Sequence, residues 1–274
     1  MSNENHTLIL MTNDDGAASP GLRAAVRCVI GLGEVWIVAP RAQQSGSGRS
    51  FPTHSTMRVW ESTLDVDGIQ VPCFALDASP AQSVRQAILR FLPRVPDLTI
   101  SGINYGENLG GSVTVSGTIG AAIEAASFGI PTLAASLETA RKYHFSHSTE
   151  VDFSTAALVV RRFAKYLLTH GMPEGVDILK LDVPCDARSN TPWRTTRVSR
   201  QQYFVTPVII DEQGQKHVSG YVREIDLDTL EADSDIYALA VDRVIAVTPL
   251  TTDLTARVDP QHLQDILSAD HAAS

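Results

Sequence analysis

Short, wholly apolar runs alternate with stretches of helical spacing through most of this chain. Thr7 to Thr12 is a continuous apolar run, the pattern of a strand buried on both faces, and it stops at the turn signal Asn13-Asp14-Asp15-Gly16. From Pro20, the spacing of Leu22, Val26 and Val29 or Ile30 predicts a helix. Glu34 to Ala39 reads as a second buried strand, ended by Pro40 and followed by a Ser/Gly-rich loop from Arg41 to about His54. Met57–Trp60 and Gln70–Ala75 predict an extended pair around the Asp67-Gly68 turn. Ala81–Leu92 has helical spacing and ends before Pro93 and Pro96. Asp97 to Ser101 predicts a third central strand running into a Gly-rich loop. An Ala-rich helix over Gly117–Phe128, a strand over Ile130–Ser136, a long helix over Ser154–Thr169 and a strand over Ile178–Val183 complete this part.

Strands alternating with helices at this spacing predict an α/β fold with a doubly wound, mostly parallel sheet. The pattern changes near Asn190, so we divide the chain into residues 1–190 and an extension, 191–274, not expected to fold alone. In the extension, Arg197–Val205 and Lys216–Arg223 alternate like hairpin strands around Asp211-Glu212-Gln213-Gly214. Arg243–Pro249 predicts a returning strand, a helix starts near Pro260, and 269–274 are expected to fray.

The 274 residues, with 43% apolar and 19% charged, suffice for a packed core. A net charge of −9 without a run of Lys or Arg argues against a nucleic-acid polymer as partner. It leaves open a small anionic substrate, because a bound cation and backbone N–H groups reverse the field inside one pocket. Three scattered cysteines, no secretory leader and no apolar stretch of membrane-spanning length make a cytoplasmic location the expectation.

In an open parallel sheet, ligands sit beyond the carboxyl ends of the strands. Three strands here run into polar, small-residue loops: MTNDDG, APRAQQSGSGRS and SGINYGENLGG. The adjacent carboxylates of Asp14 and Asp15 repel unless a cation or a proton sits between them, and hard divalent cations favour such oxygen ligands. The same tetrapeptide also reads as a turn with a helix cap. Ser45 offers a hydroxyl from a loop that also reads as flexible, and Asn104 offers a carbonyl oxygen or a left-handed turn. Ser116, Gly117 and Thr118 open the Ala-rich helix, whose free N–H groups make a phosphate seat and whose hydroxyls equally make a cap. Asn108 is grouped with them as a phosphate-side residue. No Gly-Lys-Ser/Thr and no GxGxxG follows the first strand, so a Walker loop and a dinucleotide cofactor are unsupported. His54 is a candidate acid or base, Glu124 reads as a salt-bridge residue, and His144 and His147 read as solvated loop residues.

The motifs TNDDG (Thr12–Gly16), AP with QSG (Ala39–Gly46), SGINYGENLG (Ser101–Gly110) and SGTIGAAIEA (Ser116–Ala125) resemble, in order, those of the SurE nucleotidases. These stationary-phase survival proteins hydrolyse nucleoside 5′- and 3′-monophosphates. The resemblance implies a Rossmann-like catalytic domain, a C-terminal hairpin and helix extension used in oligomerisation, and a homodimer or homotetramer. It implies Asp14, Asp15, Ser45 and Asn104 as ligands of a divalent metal, Mg²⁺ or Mn²⁺, and Ser116, Gly117 and Thr118 as the segment near the phosphate. The chain departs from the family pattern at Arg41, Val115 and Ala78, which leaves two alternatives: a phosphatase of a non-nucleotide monoester, or a non-catalytic nucleotide or phosphate binder. A phospho-enzyme on Asp14 is disfavoured, because that chemistry uses Asp-x-Asp and here the carboxylates are adjacent.

Overall fold

The computed structural model describes residues 6–52, 57–218 and 220–269. β1 (Leu8–Thr12) is buried at every position, since it has parallel neighbours on both sides and helices on both faces. Its alternate side chains serve opposite layers. Ile9 and Met11 pack with Leu22 and Val26 of α1 (Pro20–Val29) and Val160 of α4 (Ser154–His170). Leu8 and Leu10 pack with Val84 of α2 (Pro80–Gln86) and Ala121 and Ala125 of α3 (Gly117–Ala126).

The other strands of this sheet are β2 (Glu34–Pro40), β3 (Val59–Val66), β4 (Ile69–Leu76), β5 (Leu98–Tyr105), β6 (Thr132–Leu137), β7 (Ile178–Val183), β8 (Trp193–Thr195) and β13 (Ile245–Leu250). Their order is β3-β4-β2-β1-β5-β6-β7-β13-β8, antiparallel only at β3–β4 and β7–β13. The α/β, doubly wound, mostly parallel expectation therefore holds. Both β8 and β13, from beyond residue 190, belong to the central sheet. Two short ribbons lie outside it: β9 (Phe204–Val205) with β12 (Val222–Arg223), and β10 (Val208–Ile210) with β11 (Lys216–Val218). α5 spans Pro260–Ala269. Among the described residues, no helix is long and apolar enough to cross a membrane.

Three elements differ from the sequence expectation. β5 does not stop at Ser101 but continues to Tyr105, with its register against β6 shifting between Ser101 and Asn104. Gly102 makes that bulge possible: its φ is +122°, and a Cβ there would stand 2.2 Å from the Ala135 carbonyl oxygen. The helix expected over Ala81–Leu92 is α-helical only to Gln86 and then widens into a π turn over Ala87–Phe91. The expected long hairpin is two ribbons of two and three residues per strand, because Tyr203 turns inward to a small core with Leu109, Leu230 and Ile236.

A fully buried charge cluster ties the extension to the sheet. Lys180 on β7 pairs with Asp182 and, at 3.0 Å, with Asp235. Asp182 accepts the Asn108 N–H at 2.8 Å, and Asp235 accepts the N–H groups of Gly110, Ser199 and Ile236. The loop after β5 is thus held from below by two carboxylates that share one ammonium. Lys180→Met leaves two buried carboxylates unpaired, and we expect denaturant unfolding to register a loss of ~3–5 kcal/mol. Asp182→Asn made in that background should recover part of it.

Candidate active site

The three strand-end loops meet. Asp14, Ser45 and Asn104, from the ends of β1, β2 and β5, line one cavity of about 370 Å³ together with Asn108 and Ser116. Asp15 lies just behind this wall. Its carboxylate accepts the Tyr105 N–H at 3.1 Å and the Gln43 amide at 3.2 Å, and the same Gln43 nitrogen donates to Ser45 Oγ at 2.9 Å. Asn104 donates its amide to the Gly106 carbonyl at 2.7 Å, which leaves its Oδ1 without that duty.

Asp14 and Asp15 are 5% and 2% exposed. Among the described residues their hydrogen-bond partners are dipoles rather than cations: the Thr118 hydroxyl donates to Asp14 at 2.5 Å, and the N–H groups of Gly117 and Thr118 bear on the same carboxylate. Burial pushes both carboxyl groups above the usual range, and for Asp15 the neighbouring Asp14 charge adds to it. Buried like charges whose donors are all oxygen (two carboxylates, a hydroxyl, an amide carbonyl) fit a hard divalent cation.

Gly117 and Thr118 do not reach the cavity surface; they press on Asp14 from the start of α3. A Cβ on Gly117 would lie 2.7 Å from Asp14 Cβ and 2.8 Å from Ser47 Oγ, so only glycine fits. Ser116 is the N-cap, accepting from the Ile119 N–H at 3.2 Å, and it faces the cavity as well. Asn108 donates its amide to Ser136 Oγ at 2.8 Å. Glu124, fully buried, is the salt-bridge residue expected of it, gripping Arg85 at 2.7 Å and Arg49 at 2.8 Å. Arg49 belongs to the loop that carries Ser45.

Another part of the cavity lining is largely aromatic. Val115, Phe145, Phe204, Tyr221 and the His144 ring form it. His144 is buried, contrary to the solvated position expected from sequence. Its ring lies on Gly106, where a Cβ would be 2.9 Å from Nε2, and stacks with Tyr221 at 5.9 Å. Nδ1 accepts the Tyr221 hydroxyl at 2.7 Å while Nε2–H faces the Thr139 carbonyl at 3.3 Å. Its own carbonyl accepts from Gln43 at 2.6 Å, which links the aromatic half to the acidic one. His147 Nε2 donates to the Asp15 carbonyl at 2.8 Å. His54 lies outside the described residues. Of the three departures from the family pattern, only Val115 lines the cavity; Ala78 is core, and Arg41 is exposed over Trp60 and pairs with Asp77. Glu138, Cys185 and Asp186 form a second oxygen- and sulfur-bearing group, but Arg243 already bridges its two carboxylates.

Glu107 also lines the cavity and is absent from any sequence-derived list. Its carboxylate is fully buried, with Arg223 Nη2 at 2.5 Å and the Tyr203 hydroxyl alongside, neither on a good hydrogen-bond line. Burial lifts its pKa to about 7 from 4.5, with Arg223 offsetting only part of the rise. A carboxyl whose folded pKa is raised binds its proton more tightly when folded, so stability present below about pH 4.5 is lost as pH rises through 7. Between pH 4.5 and 8, wild type should therefore lose on the order of 3 kcal/mol relative to Glu107→Gln. Unfolding of both proteins across that range measures it, and parallel curves would contradict it.

Residues 9–205 match the family described as Survival protein SurE. A protein named 5′-nucleotidase SurE from Thermococcus gammatolerans is 44% identical over 262 residues, covering 94% of this chain and 95% of the relative. Its namesake from Methanothrix thermoacetophila is 44% identical over 267 residues, covering 94% and 98%. The crystal structure of the SurE protein from Aquifex aeolicus superposes with a TM-score of 0.76 at 29% identity, covering 96% of this chain and 99% of that one. With sequence and fold in agreement over nearly its whole length, this chain belongs to the SurE family.

Proposed function

We propose that this protein is a divalent-metal-dependent phosphomonoesterase that hydrolyses nucleoside 5′-monophosphates, and 3′-monophosphates, to nucleoside and phosphate. One observation carries the reading: a single cavity is lined both by the buried carboxylate of Asp14, with Asp15 just behind it, and by the rings of His144, Phe145, Phe204 and Tyr221. A phosphate and a base make the complementary demands. The volume, about 370 Å³, lies within the range of small-ligand pockets. The names of the relatives support the same substrate class.

Asp14, Asp15, Ser45 and Asn104 would hold the cation, Mg²⁺ or Mn²⁺. When bound, it supplies Lewis acidity toward a phosphoryl oxygen and a water nucleophile near neutral pH. The chain's own residues orient and exclude. Thr118 fixes the rotamer of Asp14, and Gln43 holds Asp15 and Ser45 in one geometry. Ser116, Asn108 and the N-terminal end of α3 offer donors to phosphate oxygens. The aromatic half keeps water from the base side.

The test is phosphate release from a panel of phosphomonoesters with added Mg²⁺ or Mn²⁺. Wild type should favour nucleoside monophosphates, lose activity to chelator and regain it with metal. Asp14→Asn should fall by at least about 100-fold. Equal release by both proteins would end the site assignment, and a preference for base-free monoesters would end the substrate assignment.

The proposal extends to self-association as a dimer or tetramer. Val208, Ile209, Ile210 and Val218 of the β10–β11 ribbon are each more than half exposed, an apolar surface that a partner copy would cover. Light scattering should give a multiple of 29.6 kDa. Ile209→Lys with Ile210→Lys should lower that mass, and an unchanged value would remove the ribbon from the interface.

A further inference from the structure

The aromatic half of the cavity stands on a support too slight to hold itself. Phe204 and Tyr221 sit on or beside the β9–β12 ribbon, which pairs only Val205 with Val222 and Phe204 with Arg223. Two paired residues per strand do not fix a ribbon in water. Side-chain anchors must do so: His144 and Arg141 hold the Tyr221 ring, and the ribbon itself is tied down through Arg223. Arg223 reaches Glu107 at 2.5 Å and Glu138 at 3.2 Å, and it donates to the Thr139 carbonyl at 3.0 Å. Its guanidinium also lies over the Tyr203 ring at 5.6 Å. Glu107 belongs to the loop that carries Asn104 and Asn108; Glu138 follows the end of β6. The fork thus spans the site loop on one side and the sheet edge on the other, with the aromatic pair between.

We propose that Arg223 is a positioning residue for base recognition: by gripping Glu107 and Glu138 it sets the ribbon so that Phe204 and Tyr221 form the wall on which a nucleobase stacks. It touches no part of the substrate itself. The grip is a device of geometry more than of stability: Glu107 supplies charge, and a buried ion pair regains little net free energy, while the hydrogen bonds to Glu138 and the Thr139 carbonyl fix the direction of the guanidinium. Arginine suits the task because two carboxylates and a carbonyl need a planar fork. The phosphate end is held by other means, α3 and the Lys180 cluster, so loosening the ribbon should leave it in place.

This inference rests on the nucleotide reading above, and the experiment separates the two. Adenosine 5′-monophosphate and ribose 5-phosphate share the phosphate and sugar and differ in the base. Both are assayed at pH 8 with Mn²⁺. Arg223→Met should raise KM for adenosine 5′-monophosphate about tenfold, the range of one lost base–aromatic contact, with kcat changed less than about twofold. Its constants for ribose 5-phosphate should stay within about twofold of wild type. Should Arg223→Met fail to fold, Arg223→Lys, which keeps the charge and loses the fork, gives the same comparison with a shift of about threefold. Equal losses on both substrates would reveal general damage and overturn the proposal, as would an unmoved KM for the nucleotide. A wild type that turns over ribose 5-phosphate as efficiently as the nucleotide would overturn the nucleotide reading and this inference with it.

Discussion

Two neighbouring carboxylates buried at the carboxyl end of a central strand set the terms for everything around them. Each charged group taken from water costs several kcal/mol, and the second is worse than the first because it repels its neighbour. Asp14 and Asp15 receive dipoles and hydrogen bonds, and among the described residues none of these comes from a formal positive charge. A site of this kind is stable enough to fold and poor enough in counter-charge to want a cation. The surrounding structure keeps it so. α3 begins against Asp14 and must begin with glycine, since a Cβ on Gly117 would overlap that carboxylate. One turn on, Gly120 allows the Gly48 carbonyl to rest on the helix, where a Cβ would stand 2.1 Å away. Glu124, one turn further, secures the same loop through Arg49. One face of a short helix therefore fixes both Asp14 and the loop bearing Ser45.

The third loop is fixed from the sheet. The bulge at Gly102 carries β5 past its expected end, so that Asn104 projects from ordered strand rather than from a flexible loop. Beyond it, Asn108 and Gly110 hang by their N–H groups from Asp182 and Asp235, which share the ammonium of Lys180. Rigid elements under each donor are what a metal or phosphate site requires, because misplacement by an ångström forfeits most of its effect.

How much of this could be read from the sequence divides along physical lines. Asp14, Ser45 and Asn104 were legible because a parallel sheet sends the ends of β1, β2 and β5 to one rim, and each loop announces itself by small and polar residues. Their common cavity follows from topology. The aromatic wall was not legible. Gln43 meets the His144 carbonyl across 101 residues, and Arg223 meets Glu138 across 85. No local pattern records such contacts. His144 read as solvated because no third ligand stands beside it and His147 in sequence, whereas its ring is bedded on the bare backbone of Gly106, 38 residues away. The extension misled for a related reason: alternation through Arg197–Val205 mimics a strand, whereas Tyr203 is buried in a separate small core that breaks the ladder.

The two halves of the cavity thus depend on different physics, and the chain keeps their supports apart. The acidic half depends on charge and on close backbone approach, which is why glycines and buried ion pairs cluster beneath it. The aromatic half depends on contact area, which needs only that flat rings be held at the right spacing. Gln43 connects them, donating to Asp15, to Ser45 and to the His144 carbonyl from one nitrogen. An amide nitrogen has two hydrogens for these three acceptors, so at least two of them share one, the His144 carbonyl at 2.6 Å making the shortest contact and Asp15 at 3.2 Å the longest. Such shared bonding tolerates small shifts in any one partner. A site that must take up and release a charged, two-ended ligand needs that tolerance at the junction and rigidity at both ends, and the residues are distributed accordingly.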